Sequence, residues 1–244
     1  MLASAVSRFT AFAQLTANDF EDLAKLASGR RSVRRGEFIC REGEDFGGLV
    51  LLLTGWVASS ITFANGARQL LNVHLPGDML GTADLALGRC SQSIMAITPV
   101  ELGLLSRHEL GHLFEKNPRL AALLFLISQE ERIVLMDRLA AIGATEAPSR
   151  LATMLLHVHA RLVRSNPETG YSFDIPLSQE NLAELIGVST THLNRTLRLL
   201  RQQKLVEWKP GRVTILDQTG LIELSGLPPR LLDRDASWLP KTQT

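Results

Sequence analysis

The chain has 244 residues, 45% of them hydrophobic and 21% charged, which is a globular composition with no sign of wholesale disorder. Its net charge of +1 exerts no global pull toward nucleic acid or membrane, so any basic surface has to be local. No apolar run approaches the roughly 20 residues that span a bilayer, Arg8 interrupts what would be the core of a signal peptide, and Cys40 and Cys90 offer neither a disulfide framework nor a zinc ribbon, so secreted and membrane classes drop out and a cytoplasmic protein is expected.

Asn18-Asp19-Phe20 opens a short helix. From about Val33 to Leu105, Gly36, Gly43, Gly55, Gly66, Gly77 and Gly81 fall between short β-rich runs: EFIC, LVLLL, VASSITF, QLLNVHL, SIMAIT and ELGLL. Short strands with a turn signal every ten residues or so describe an antiparallel roll or barrel. Ser106 starts a second short helix, and a longer helical pattern runs from about Pro118 to Ile142.

That pattern places Leu120, Leu123, Leu124, Ile127, Val134, Leu135, Leu139 and Ile142 at three-, four- and seven-residue spacings, and Ser128-Gln129-Glu130-Glu131-Arg132 interrupts it. A helix of this length between two compact units suits a dimer seam or an interdomain strut, and an ordinary core helix is the other reading. The stripe is too long for one small roll to cover, so Leu120, Leu124, Ile127, Val134, Leu135, Leu139 and Ile142 are expected at a twofold interface. Gly143 to Pro148 reads as a hinge.

Beyond the hinge come a helix over Ser149–Val163, a short strand within Tyr171–Pro176, two helices, and β-runs at Leu205–Trp208 and Arg212–Leu216 joined by Pro210-Gly211. Ser178 can cap a helix carrying Leu182, Leu185 and Ile186, Gly187 supplies a tight turn, and Ser189 caps a second helix. At ~100° per residue, Leu193, Leu197 and Leu200 share one face of that helix. Thr191, Asn194, Arg195, Arg198 and Arg201 share the opposite face, with three arginines and no acid. Such a helix fits the major groove, where arginine bonds guanine bidentately and asparagine bonds adenine. The following hairpin, with Lys209 and Arg212 at its tip, looks like a wing. A plain antiparallel helix pair with a solvated arginine face is the bland alternative.

The roll segments RRGEFICREGE, LLLTGWV and LPGDMLG, the long helix, and IPLSQENLAELIGVSTTHLNRTLRLLR together resemble the CRP/FNR transcriptional regulators, from about Phe12 to Ile215. The resemblance implies an α+β chain in four parts. Residues 1–116 would be a cyclic-nucleotide-binding-like antiparallel β-roll of jelly-roll type, and 117–143 a dimerisation helix. Residues 144–217 would be a winged helix-turn-helix and 218–244 a C-terminal extension. It further implies a homodimer on double-stranded, inverted-repeat promoter DNA, RNA polymerase as a partner, and a roll that holds or senses a small effector.

Residue by residue, Arg195 falls on the family's base-contacting arginine, and Thr190 and Thr191 on positions that vary with the operator. Ser178, Gln179 and Glu180 fall on first-helix positions that approach phosphates, although Glu180 cannot pair with one. The expected DNA-facing set is Ser178, Gln179, Ser189, Thr190, Thr191, Asn194, Arg195, Arg198 and Arg212.

The effector pocket would draw on Gly81, Thr82, Asp84, Arg89, Cys90 and Ser91, with Leu135 and Met136 from the long helix. Where cAMP-binding members have glycine-glutamate, arginine-serine and a hydroxyl pair, this chain has Gly81-Thr82, Cys90-Ser91 and Leu135-Met136. Arg89 is the one cation between Gly77 and Thr98, and Asp84 would repel a phosphate if it pointed inward. Iron–sulfur members carry an N-terminal cysteine cluster, and no cysteine precedes Cys40. Neither cAMP nor an iron–sulfur cluster is expected, and the effector stays unidentified.

Three further features invite other chemistry. His108-Glu109-Leu110-Gly111-His112 spells H-E-x-x-H, the zinc-hydrolase helix motif, with Glu130 or Glu131 as a distant third ligand. The extended pattern fails at Glu115 and Pro118, and Leu110, Leu113 and Phe114 make an ordinary apolar face. His74 could ligate a haem, but strand alternation sets Leu71, Val73 and Leu75 on one face and Asn72 and His74 on the other, so a surface or hydrogen-bonded histidine is expected. Cys40 and Cys90 could be redox sensors, although a lone thiol is more often a small buried apolar residue. The alternatives to a DNA-binding regulator are therefore a small-ligand or haem-binding sensor without operator specificity, and a zinc enzyme.

Overall fold

The computed structural model describes residues 2–26, 29–45, 47–227, 230 and 232–241. They divide into two compact units: Met1–Ile61, Asn72–Glu131 and Leu232–Thr244 form the first, Thr62–Leu71 and Arg132–Leu231 the second. Among the described residues no helix is long and apolar enough to cross a membrane.

The first unit is the expected roll. Its strands are β1 (Arg30–Val33), β2 (Phe38–Cys40), β3 (Gly48–Thr54), β4 (Val57–Thr62), β5 (Arg68–His74), β6 (Met79–Leu80), β7 (Ser93–Ala96) and β8 (Val100–Ser106). They form two antiparallel sheets, ordered β1-β8-β3-β6 and β2-β7-β4-β5. The unbroken apolar run of β3 has a direct cause, because both of its faces are covered. Val50 and Leu52 point into the roll with Val57, Ile94 and Leu102, while Leu49, Leu51 and Leu53 pack outward against helices. Gly48 is required by proximity, since a Cβ there would sit 1.9 Å from the Leu105 carbonyl oxygen.

The helices on the outer face are α1 (Leu2–Thr10), α2 (Ala17–Leu26), α4 (Arg107–Lys116) and the first half of α5 (Pro118–Ala144), with the short α3 (Asp84–Leu87) between β6 and β7. Ser106 and Glu109 close a capping box at the start of α4. Asn117 ties α5 to α2, accepting from the Leu120 amide at 3.0 Å and donating to Asp19 at 2.9 Å.

The long helical pattern is one continuous helix, but its apolar stripe has two destinations. Leu120, Leu123, Leu124 and Ile127 are buried in the core of this chain's own first unit, with Phe9, Leu23 and Leu51. Leu120, Leu124 and Ile127, expected at the twofold seam, are therefore already covered within the chain. Leu135, Met136, Leu139 and Ile142 are exposed, Leu139 by 72%. Val134 is half-buried.

The second unit contains α6 (Ala147–Ser165), β9 (Ser172–Asp174), α7 (Gln179–Ile186), α8 (Thr190–Gln202), β10 (Val206–Lys209), β11 (Arg212–Ile215) and α9 (Gln218–Ser225). The three strands form one sheet, ordered β10-β11-β9. The tip of the β4–β5 hairpin belongs here too: Arg68 forks onto the Glu184 carboxylate at 2.9 and 3.1 Å, Gln69 donates to the Glu184 carbonyl, and Arg138 donates to the Leu71 carbonyl at 2.8 Å. The stretch expected as a C-terminal extension from 218 divides. Ser225 of α9 accepts through its carbonyl from Ser149 of α6 at 2.7 Å, whereas Leu239 is buried in the core of the first unit.

Candidate nucleic-acid interface and sensor cassette

The helix-turn-helix is assembled by the residues expected to assemble it. The Ser178 hydroxyl accepts from the Asn181 amide, capping α7, and the Ser189 hydroxyl accepts from the His192 amide, capping α8. Gly187 ends α7 at φ +68°, a left-handed conformation that costs glycine nothing and other residues about a kcal/mol. Leu182, Ile186, Leu193, Leu197 and Leu200 are buried, and Thr196 joins them by donating back to the His192 carbonyl at 3.0 Å.

That packing fixes which face of α8 remains outside. Thr190, Thr191, Asn194, Arg195 and Arg198 are all exposed, as are Ser178, Gln179 and Ser189. Asn194 and Gln179 meet at 3.4 Å, so the start of α7 and the first turns of α8 form one polar surface. No ion pair involves Arg195 or Arg198 among the described residues, which leaves two guanidinium groups fully available to an outside acceptor. Arg212 differs: it donates to Ser172 at 3.0 Å and to Asp174 at 3.3 Å across the β9–β11 ladder. Both partners of that ion pair are more than half exposed, so it is worth at most about 1 kcal/mol and opens readily. Lys209 beside it pairs with Glu207 at 3.1 Å.

The effector-pocket segment from Gly77 to Thr98, the cassette, engages its Ser91 donors from within. Asp84 is fully buried at the start of α3 and accepts from both the amide (2.8 Å) and the hydroxyl (2.6 Å) of Ser91. An amide that could meet an anion is thereby taken by an internal carboxylate. Arg89, the one cation of the segment and a candidate pocket residue, is 72% exposed, faces Asp45 at 3.9 Å and shares an isolated backbone bridge with it. Gly81 is buried and Thr82 half-buried. Leu135 and Met136, expected over the cassette, are exposed and belong to the second unit. Cys40 and Cys90 are buried free thiols, the Cys40 thiol donates to the Gln92 carbonyl at 3.8 Å, and burial pushes both upward, away from thiolate.

His74 bonds Ser59 at 3.1 Å and lies 3.7 Å from Asp78. In the H-E-x-x-H segment the two histidine rings touch at 4.4 Å, but the Glu109 carboxylate is committed to the capping box, and its hydrogen bonds from Ser106 hold it below the usual carboxylate range. Phe114, expected on the buried face with Leu110 and Leu113, is 43% exposed. Glu130 and Glu131, the distant third-ligand candidates, bind Arg8 instead, at 2.9 and 2.8 Å. That cluster was missed by sequence reading, where Arg8 served only to break a hydrophobic run.

Comparison with known proteins bears on both units. Residues 30–117 match the family pattern described as the cyclic nucleotide-binding domain, and 149–224 that of the Crp-like helix-turn-helix domain. The transcriptional activator protein anr of Pseudomonas aeruginosa is 25% identical over 213 residues, covering 87% of this chain and 86% of the relative. FnrA of Stutzerimonas stutzeri, also a transcriptional activator protein, is 22% identical over 212 residues, covering 87% and 86%. The structure of FixK2 from Bradyrhizobium japonicum has the same fold, with a TM-score of 0.73 at 23% identity, covering 82% of this chain and 98% of that one.

Proposed function

The chain belongs to the CRP/FNR family of DNA-binding transcriptional regulators, and from that premise we propose that it acts as a cytoplasmic homodimer reading an inverted-repeat promoter site, in contact with RNA polymerase. The observation that carries the reading is the exposed face of α8. Two capped, packed helices hold Thr190, Thr191, Asn194, Arg195 and Arg198 outward, with no internal acid on the two arginines among the described residues. Base-edge recognition needs such a set, and a face that merely stayed soluble would not need it free of acids. Arg195 and Asn194 are the base readers, and Ser178, Gln179, Ser189 and Arg212 position the protein on phosphates.

The exposed Leu135, Met136, Leu139 and Ile142 support pairing of two copies along the second half of α5, and a two-copy assembly matches a site with twofold symmetry. The signal enters through the roll. A tight cAMP site is disfavoured by Asp84, which accepts from the Ser91 amide and hydroxyl, and by Arg89, which points out. A buried phosphate without a cation loses a charge-assisted contact, or about 30–150-fold in affinity. Selection from random DNA with the purified protein tests the reading. An enriched inverted repeat with half-sites about one helical turn apart is expected. No enriched repeat, even with small molecules from a cell extract added, would sink it.

A further inference from the structure

Gln179 is the first residue of α7, directly after the Ser178 cap, and Asn194 is the fifth residue of α8. The Asn194 Nδ2 donates to the Gln179 Oε1 at 3.4 Å, across 15 residues of sequence. Among the described residues this is the one hydrogen bond between a DNA-facing side chain of α8 and another element. Both side chains are exposed, and both backbones are fixed. The Ser178 hydroxyl sets where α7 begins by accepting from the Asn181 amide, and Leu193 and Leu197, on either side of Asn194, are buried.

The chemistry of a carboxamide decides what is left over. Nδ2 carries two hydrogens, and Oδ1 accepts. The hydrogen cis to Oδ1 lies alongside it and makes an acceptor–donor edge, whereas the hydrogen trans to Oδ1 points away from that edge. In the major groove adenine alone sets a donor, N6–H, beside an acceptor, N7, on a single base, and guanine sets two acceptors there. An asparagine free to turn about its last bond presents its donor and acceptor in any orientation, and so discriminates poorly between the two purines. A hydrogen given to Gln179 removes that freedom. The Asn194 Oδ1 and the Gln179 Nε2 have no hydrogen-bond partner among the described residues, so both remain for an outside group.

We propose that Gln179 is a positioning residue for base recognition: its Oε1 takes the trans hydrogen of the Asn194 Nδ2, so that Oδ1 and the cis hydrogen face the major groove as an edge that reads adenine. The Gln179 Nε2 donates to the neighbouring phosphate, so one side chain joins a backbone contact to a base contact. In the free protein water competes for the bond between the two amides. Against a base edge water is excluded, and the same bond strengthens where it bears on discrimination. The inference deepens the reading of α8 as the base-recognition helix and rests on it. It adds the base that Asn194 reads and the residue that orients it.

The test is selection from random DNA with the full-length protein and cell-extract small molecules, followed by affinities for the selected site and its adenine-to-guanine variants. Wild type, Gln179→Ala, Gln179→Glu, Asn194→Ala and the Gln179→Ala/Asn194→Ala double variant are compared; every substituted side chain is exposed, so each should fold. The wild type should prefer adenine at one position of each half-site by about 5–150-fold, and Asn194→Ala should lose that preference. Gln179→Ala should lower it about 2–12-fold, the worth of one neutral hydrogen bond, and the double variant should lose no more than Asn194→Ala. Gln179→Glu keeps the acceptor and brings a negative charge toward phosphates, so it should weaken binding to every sequence yet retain the adenine preference. A Gln179→Ala protein that binds all sequences equally more weakly, with the adenine preference intact, makes Gln179 a phosphate contact alone and overturns the proposal. Loss of the adenine preference in Gln179→Glu overturns it too. If the wild type enriches no repeat, the regulator reading falls and the proposal with it. A repeat with a guanine that depends on Arg195 and no adenine that depends on Asn194 keeps the regulator reading and refutes this proposal alone.

Discussion

The recognition helix and the cassette are the two segments through which a regulator of this family would meet its ligands, and they treat their polar groups in opposite ways. On α8 the caps and the leucines satisfy everything that faces inward, so Arg195 and Arg198 are left for something outside. In the cassette one Asp84 oxygen accepts from the Ser91 amide and hydroxyl while the other is buried without a hydrogen-bond partner, the Cys40 thiol donates to the Gln92 carbonyl, and Arg89 is turned to the surface. Similar coverage by family patterns thus accompanies one surface whose cations face outward and one segment whose Ser91 donors are engaged from within. An exposed charged group left without an internal partner is the better guide to where a macromolecular ligand binds.

The largest effect that would break this contrast lies on α5. Leu124→Glu buries a charge in the core of the first unit and should destabilise it by at least ~3 kcal/mol, read as a lost or lowered unfolding midpoint. Leu139→Glu, at a site 72% exposed, should leave the fold intact and instead yield monomers by sedimentation at micromolar concentration. Its affinity for an inverted repeat should fall by roughly 10²–10⁴-fold. Dimers surviving Leu139→Glu would move the seam elsewhere.

Within the cassette, Asp84→Ala leaves the Ser91 amide without its acceptor and should cost about 1–3 kcal/mol in chemical denaturation. Calorimetry on the wild type should show no submicromolar cAMP binding. A submicromolar signal would mean that the cassette opens, and the contrast with α8 would fail. The smallest effects belong to the wing. Arg212→Ala should weaken all DNA sequences about equally and lower the salt slope by about one, and Asp174→Asn, which frees Arg212, should strengthen binding by at most about 1 kcal/mol.

What could be read from the residues follows how local the signals are. Ser178, Gly187, Ser189 and the leucine spacing of α8 act within a few positions of one another, and each performs its expected role. The roll was legible from its glycines, though the two-residue β6 and the four-residue α3 were too short to register. Long-range partners were not legible. Whether Leu120 faces another copy or Phe9 of the same chain depends on α1 and α2 returning to cover it, which spacing along α5 cannot show. Arg8 and Glu131 lie 123 residues apart, so the charges interrupting the stripe had no visible partner. The ion pair of Arg212 was not legible either, because its acid, Asp174, sits across a strand pairing 38 residues away in sequence.

The central claim is that the open face of α8 reads bases, and it is tested most directly by running the random-sequence selection side by side on the wild type and Arg195→Ala. The wild type should enrich an inverted repeat. Arg195→Ala should bind that site about 1–3 kcal/mol more weakly and lose preference at one base pair, a guanine, at symmetric positions in both half-sites, while the remaining positions and the salt slope stay close to those of the wild type. An unchanged preference at every position, or an equal loss of affinity for all sequences, would make Arg195 a phosphate contact and contradict the account.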